Sequence, residues 1–422
     1  MKKIFYLAPV LFLVFSYVSK PAASPYLVDL AKSFSKDIFQ TNGVAYMKPV
    51  VEVVNSVSNS RFFNSAFIPR EVDKPYFKVS LNGMMGFVPD SKKTYSPKLP
   101  NQQLTLDEAQ KYFDISTLSV KDTAGLIYLV FKGMMYDGLQ DGSIQVPQKS
   151  ATALGHLKSG IPMPDSVLLN LFHNLSIGSL KLYNFLPQNL KDTMDALLIM
   201  FPDYFTMAEG ANLSQLFAGV PQVEIGSFYG TELLLRFIPP VNMGETVGDF
   251  AFWGIGLKHN ISQYFNYSDK LNDRLFDLSA QVVYQGTSLE NKIGITQAEL
   301  KANATIWDFN IHASKSFEDI IDIYTGISYE IIDISTEYKY FLPVELQYQL
   351  GLRKYDPVSG QLVTDPPEYP GDTDPQTAKL SMSNTNFKWI GGVSRQFGNF
   401  GIHADFSIST INLITLGIEY IF

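Results

Sequence analysis

Ionisable side chains in the second half of the sequence recur at even spacing, which on an extended backbone places them on one face. Glu232 and Arg236 lie four apart, Lys258 follows on the next alternating segment, and Asp308, His312, Asp322, Glu330, Glu345, Arg353, His403, Asp405 and Glu419 continue the set. A mixed-sign array of this kind suits the lining of a water-filled pore or a filled interior held by ion pairs. The plainer reading is that any enclosed polar face needs such residues as filler. His403, Asp405 and Ser407 share a face and raise the question of a hydrolase. Neighbours two apart on one strand stand ~7 Å apart, whereas a nucleophile needs its base at ~3 Å. No nucleophile-elbow sequence accompanies them. The chain is therefore not expected to be an enzyme.

Metal and cofactor chemistry find no better support. The five histidines show no ligand spacing such as HExxH. The acidic stretch DPPEYPGDTDP, with Asp365, Glu368, Asp372 and Asp374, lacks the fixed spacing of an EF-hand and reads as a solvated loop. There is no P-loop and no basic stripe interleaved with aromatics, so neither a cofactor nor nucleic acid is implied. Cysteine is absent, which excludes disulfides, thiol catalysis and iron–sulfur clusters.

The elements that must carry these side chains are strands. From residue 228 onward, segments of alternating apolar and polar residues are separated by turn residues. Val344, Leu346, Tyr348, Leu350 and Leu352 oppose Glu345, Gln347, Gln349, Gly351 and Arg353; Trp307, Phe309 and Ile311 oppose Asp308, Asn310 and His312. A soluble sandwich buries the apolar faces, whereas a transmembrane barrel turns them to lipid, with strands of ~9–11 residues. Periodicity alone does not separate the two. Tyr and Phe sit near many strand ends, as in an interfacial girdle. The chain also ends in an alternating strand, with Ile418, Tyr420 and Phe422 on one face and the aromatic as last residue. Lys2 and Lys3 precede an apolar run from Ile4 to Val18, then Ala22, Ala23 and Ser24, the pattern of a secretory leader. The run is short for a ~20-residue membrane helix and contains Pro9.

Between leader and strands, Leu27, Leu30, Phe34 and Ile38 recur at helical spacing, and Tyr46, Val50, Val53, Val54 and Val57 suggest a second helix. These form the expected plug. Gly254 and Gly256, beside Lys258, leave room for another segment, with the plug as the natural candidate and strand twist as the alternative. Residues 90–220 mix helical and turn signals that periodicity does not order. Charged residues are only 18% and aromatics 14%, which excludes a disordered chain, and the net charge of −8 opposes a nucleic-acid partner.

The terminal strand resembles that of Gram-negative outer-membrane barrels, where a final aromatic is read by the barrel-assembly machinery. The block containing GTELLLRFIPP and FWGIGLKHNISQYF resembles, over residues 226–265, an uncharacterised Gram-negative outer-membrane β-barrel family. Looser is a similarity to outer-membrane long-chain fatty-acid transporters, whose amino-terminal residues also lie inside a barrel. The resemblance implies a leader, a helical stretch and a barrel, and brings no assigned ligand.

The expectation is an all-β protein: a monomeric transmembrane antiparallel barrel of about 12–14 strands with a short N-terminal helical plug. Residues 1–24 are the leader, 25–70 the plug (Leu27, Leu30, Phe34, Ile38, Val50, Val54), and 71–422 the barrel, with an insertion at about 90–220. Its place is the outer membrane after leader cleavage, in contact with lipid. Its expected function is passage or uptake of a solute, with an apolar one in view. The alternative is a structural or secretion-associated barrel that docks a partner through its loops. If the last aromatic is the assembly signal, deleting Phe422 should leave the chain periplasmic or degraded, read as loss of the heat-modifiable band from outer-membrane fractions.

Overall fold

The computed structural model describes residues 24–70, 75–114, 116–117, 119–178, 180–242, 248–264, 275–293, 298–317 and 320–422. The leader, apart from Ser24, lies outside these. Ten strands, each antiparallel to its neighbours, close into a barrel. They are β1 (Tyr76–Phe87), β2 (Gln215–Phe228), β3 (Thr231–Asn242), β4 (Asp249–Asn260), β5 (Asp277–Ile293), β6 (Ala298–Phe317), β7 (Ile321–Tyr340), β8 (Gln376–Phe397), β9 (Phe400–Ile408) and β10 (Leu413–Ile421). The count falls below the 12–14 expected because four strands are long. β5 to β8 run 17, 20, 20 and 22 residues, so the same sequence makes fewer of them. β1 closes the ring by pairing with β10, from Lys78 opposite Ile421 to Gly86 opposite Leu413.

Alternation sets two unlike faces. On β7, Ile321, Ile323, Ile327, Tyr329 and Ile331 point outward and are exposed, while Tyr324, Ser328, Glu330 and Ile332 point inward and are buried. Past Ile331 the outward residues become Asp333 and Ser335. The neighbours switch at the same level. On β6, Trp307 and Phe309 give way to Thr305 and Asn303; on β8, Phe387 and Trp389 give way to Ser383 and Ser381. The apolar band on β7, Ile321 to Ile331, has roughly the ~9–11 residues that a tilted strand needs to cross a bilayer. The remainder of the long strands stands beyond it, polar on both outer neighbours.

The two ends also differ. One carries short connections at Tyr229–Gly230, 318–320 and 398–399, with 261–276 as the exception. The other carries the two long segments, residues 88–214 and 341–375, beside shorter connections at 243–248, 294–297 and 409–412. In bacterial barrels short turns are periplasmic and long loops extracellular. At the loop end sit helices α2 (Leu106–Tyr112), α3 (Thr123–Asp141), α4 (Asp165–Asn174), α5 (Leu182–Phe185) and α6 (Gln188–Met200), which together form a cap. α2 begins with a full capping box, Thr105 and Glu108 satisfying each other's backbone N–H groups.

The amino-terminal helix is a single one, α1 (Pro25–Ser58), where two were expected; it continues through Pro49. Leu27, Leu30, Phe34 and Ile38 do not plug the lumen. They complete the apolar core of the cap, Phe34 packing edge-on against Phe131 at 5.2 Å and Phe205 at 4.8 Å. The helix meets the barrel only further on. Val50 and Val54 pack at its rim, and Val51 packs against Ile306, Ile332 and Ile334 inside it.

A second correction concerns residues 344–352, expected as a strand. Val344–Gln349 form helix α7. Pro343 precedes it and Gly351 follows at φ 69, a left-handed position that glycine takes without strain. Leu342, Leu346 and Leu350, spaced by four, turn into the cap core. A spacing of four satisfies both a strand and a helix, and the apolar partner decided between them. Glu345 is exposed and Arg353 donates to Gln347 Oε1 at 2.9 Å, so both leave the lumen set.

Replacing outward-facing Tyr329 with Arg should cost ~2–4 kcal/mol of unfolding free energy in bilayers, and Arg at Asp333, beyond the band, only ~0–1 kcal/mol. Equal penalties in urea titrations of vesicle-embedded protein would mean that the band is not where lipid lies.

Candidate functional site

Below α1 the chain runs on through the lumen as an irregular thread, residues 59–70, before β1 begins at the turn end. Its descent can be followed on β7. Phe39 stacks on Tyr338 at 4.6 Å, Val51 meets Ile332 and Ile334, Asn59 bonds Glu330, and Phe63 lies 6.2 Å from Tyr324. On β6, Ala66 N–H donates at 2.8 Å to the Oγ of Ser314, the residue opposite Tyr324, and Pro69 O accepts from Ser227 beside the turn at Tyr229–Gly230.

Cationic and amide side chains of the wall reach the main chain of this thread. Lys388 Nζ donates to Asn59 O at 2.9 Å and to Ser56 O at 3.4 Å. Arg236 donates to Ser58 O and Arg61 O and lies 4.4 Å from the Phe62 ring. Gln281 donates to Phe62 O at 3.4 Å, Lys258 to Ser65 O at 3.3 Å, and Ser279 to Ala66 O at 2.6 Å. Each donor sits on a wall strand at a position that alternation turns inward.

The carboxylates balance those cations. Glu330 accepts from Lys388 at 2.6 Å and from Asn386 at 2.7 Å. Glu232 pairs with Lys258 at 2.5 Å and accepts from the Tyr76 hydroxyl. Asp308 accepts from Asn310 at 2.7 Å and from Ser328. Asp405 lies 3.4 Å from Arg61 and accepts from Tyr324 at 3.0 Å; Glu419 accepts from Asn64 at 2.6 Å. His312 stacks on Phe63 with ring centroids 3.9 Å apart. Asp322 lies half-buried near the turn end. Glu330 and Asp308 are 0% exposed and Lys388 1%, so water does not reach the middle of the lumen. The wall binds peptide, and the lumen is occluded.

His403 bonds Asn82 at 3.0 Å and does not meet Asp405 or Ser407, so no relay forms. Among the described residues no group of three or more His, Asp or Glu side chains converges to hold a metal. Asp372 of the acidic loop instead pairs with Lys32 of α1 at 2.7 Å. Gly254 and Gly256 do not admit the plug: a Cβ on Gly256 would meet Val283 at 2.9 Å, a neighbouring strand. The glycine that makes room for the thread is Gly326, where a Cβ would lie 2.7 Å from Phe63.

Lys78, Glu224 and Lys388 were missed as lining residues. Lys78 pairs with Glu224 at 2.7 Å. All three lie on segments that alternate, YFKVSLNG, QVEIG and NFKWIGG, so an extension of the same test would have found them. The role of residues 59–70 had no comparable signal, because an irregular thread has no periodicity to detect.

A second feature lies where α1, the cap and the barrel rim meet. A cavity of about 50 Å³ is walled by Phe39, Tyr46, Tyr95, Phe205, Tyr338 and Tyr340. Tyr46 donates to Glu209 O at 2.9 Å, and Asn42 is fixed by the Lys98 backbone through two bonds of 2.7 Å. Burial raises the Tyr95 phenol above its usual pKa, so it faces the cavity as a neutral group. The Tyr340 hydroxyl, with Ser35 as polar neighbour, is buried without a well-formed bond to the protein. The space admits a few waters or one ring of a ligand.

Outward from the lumen, Ile418, Tyr420 and Phe422 are exposed on the barrel surface, and the Phe422 N–H donates to Phe77 O at 2.9 Å.

The chain belongs to the family of unknown function DUF6588, whose model matches residues 1–422. No curated protein matches the sequence. Similar solved structures include Ail, the attachment invasion locus protein of Yersinia pestis, at 8% identity over 46% of this chain and 95% of that one, with a TM-score of 0.22. OccAB2 of Acinetobacter baumannii shows 10% identity over 50% and 78% of the two chains, TM-score 0.08. OpdK of Pseudomonas aeruginosa, solved with vanillate, shows 7% over 83% and 99%, TM-score 0.12. At such scores the fold rests on the strand pairing itself.

The Lys388–Glu330 pair offers a direct test of the lumen's electrostatics. Lys388→Met should destabilise the barrel by ~3–5 kcal/mol, because Glu330 stays buried without its cation. Adding Glu330→Gln should recover much of that. The temperature at which the folded gel mobility is lost reads both variants.

Proposed function

We propose that this DUF6588 member is an outer-membrane barrel that is shut to ions at rest and takes up an apolar solute at the junction of cap, helix and rim. The observation that carries this reading is the aromatic cavity between Phe39, Tyr95, Tyr338 and Tyr340. Uncharged walls of aromatic faces, with tyrosine hydroxyls such as Tyr95 and Tyr340 among them, suit an apolar ring with a polar edge far better than an ion. The membrane setting is supported by the outward band from Ile321 to Ile331 and its aligned neighbours. Passage in this reading is gated. The thread blocks simple diffusion, and the solute enters beside α1 when the helix shifts.

A second reading keeps the barrel and drops the solute: a fixed plug and a large cap make a platform that docks a partner. The cap and the 341–375 loop, locked together by Lys32–Asp372, favour it. Planar-bilayer recording and an apolar fluorescent probe separate the two. The gated reading expects full-length protein to conduct little and to bind 1-N-phenylnaphthylamine saturably, with binding lost in Phe39→Ala/Tyr338→Ala. Removing residues 25–70, helix and thread together, while retaining the leader should raise conductance sharply. High conductance in the intact protein would restore a simple open pore. Low conductance with no saturable probe binding would leave the platform.

A further inference from the structure

We infer that the lumen is a binding passage for polypeptide main chain, and that residues 56–69 occupy it after carrying residues 24–47 of the same chain to the extracellular face. This rests on the outer-membrane reading above and does not depend on any solute.

Three independent observations support it. The first is what the wall recognises. Lys388, Arg236, Gln281, Lys258, Ser279 and Ser227 all donate to carbonyl oxygens, from Ser56 to Pro69. Carbonyls are common to every residue, so this set of donors holds the main chain itself, while Asn59, Arg61, Phe63 and Asn64 add contacts that depend on their side chains. The second is direction. Contacts with β7 descend in order from Tyr338 at Phe39 to Tyr324 at Phe63, so the thread spans the lumen from one end to the other. The third is where the amino-terminal half of α1 finishes. Leu27, Leu30 and Phe34 belong to the core of the cap, on the end that carries residues 88–214 and 341–375. β1 starts and β10 stops at the opposite end, with the short turns. A barrel with short turns in the periplasm therefore holds its cap, and Pro25–Met47 with it, outside.

Single cysteines test this in a chain that has none of its own. Lys36 on α1, Val358 on the long loop and Asn399 in a short turn are exposed. With a membrane-impermeant maleimide on intact cells, Lys36→Cys and Val358→Cys should label, and Asn399→Cys only after permeabilisation. Labelling of Val358→Cys with protection of Lys36→Cys would overturn the threaded path. Labelling of Asn399→Cys with protection of the other two would overturn the orientation. Outer-membrane fractionation and heat-modifiability, read on the same samples, report the barrel separately. A correctly fractionated barrel with the wrong labelling pattern defeats only this inference, and absence from that fraction defeats the membrane reading beneath it.

The main-chain claim has its own readout. Ser65→Cys in purified, micelle-embedded protein should react roughly tenfold or more faster when Ser279→Ala and Gln281→Ala remove two donors. Unchanged reactivity, with the folded gel mobility retained, would show that those bonds do not hold the thread.

Discussion

Charge buried in the lumen has to be paired, and the wall cannot pair all of it alone. Lys388 and Lys258 carry more donors than their carboxylate partners can satisfy, and Arg236 bonds Gln222 on the wall and otherwise carbonyls of the chain inside. Carbonyls of the thread take up the remainder. Removing the thread would leave desolvated cations facing one another across a narrow tube, and water would have to enter to solvate them. The occupied lumen and the closed barrel are thus mutually dependent: the wall fixes the thread, and the thread makes the wall's charges tolerable.

The same economy shapes the outside. The strands cross the apolar band in about ten residues and then continue, with Asp333, Ser335, Thr305 and Ser383 facing water. This extension gives the cap a rim to rest on. Phe39 and Tyr46 of α1 pack on Tyr338, which stands on that extended portion of β7. The aromatic cavity exists because three elements converge there without interdigitating fully, at a level already outside the hydrocarbon band.

How much of this was legible in the sequence depends on the range of the forces involved. Two-residue alternation reports directly on a wall with lipid on one side, so Trp307, Asp308, His312, Glu330, His403 and Glu419 could be assigned to faces without any partner in view. α7 defeated the same logic, because Leu342, Leu346 and Leu350 repeat at a spacing shared by helix and strand, and their partner lies more than a hundred residues away in the cap. The plug face was visible as Leu27, Leu30, Phe34 and Ile38, but periodicity says only that a face is apolar. Whether it meets a barrel or a cap is decided by residues 99–207, whose short elements carry little pattern of their own. Lys78 and Lys388 were within reach of alternation. Asn59 and Asn64 were not, since their function comes from threading and leaves no repeat.

A chain threaded through a ring that it also forms is a molecular rotaxane, with the cap as its stopper. The axle and the ring are one covalent strand, so the topology must be made during assembly and cannot be added afterwards. The ring is sealed where β1 meets β10, the first wall strand against the last to be synthesised. Residues 24–58 have to be in place, or travel through an open seam, before that last strand zips shut. Once the cap has folded around Phe34, the axle cannot slip back without melting the stopper. The final strand therefore works as a latch, and the lifetime of the threaded state is set by how slowly that latch or the cap opens.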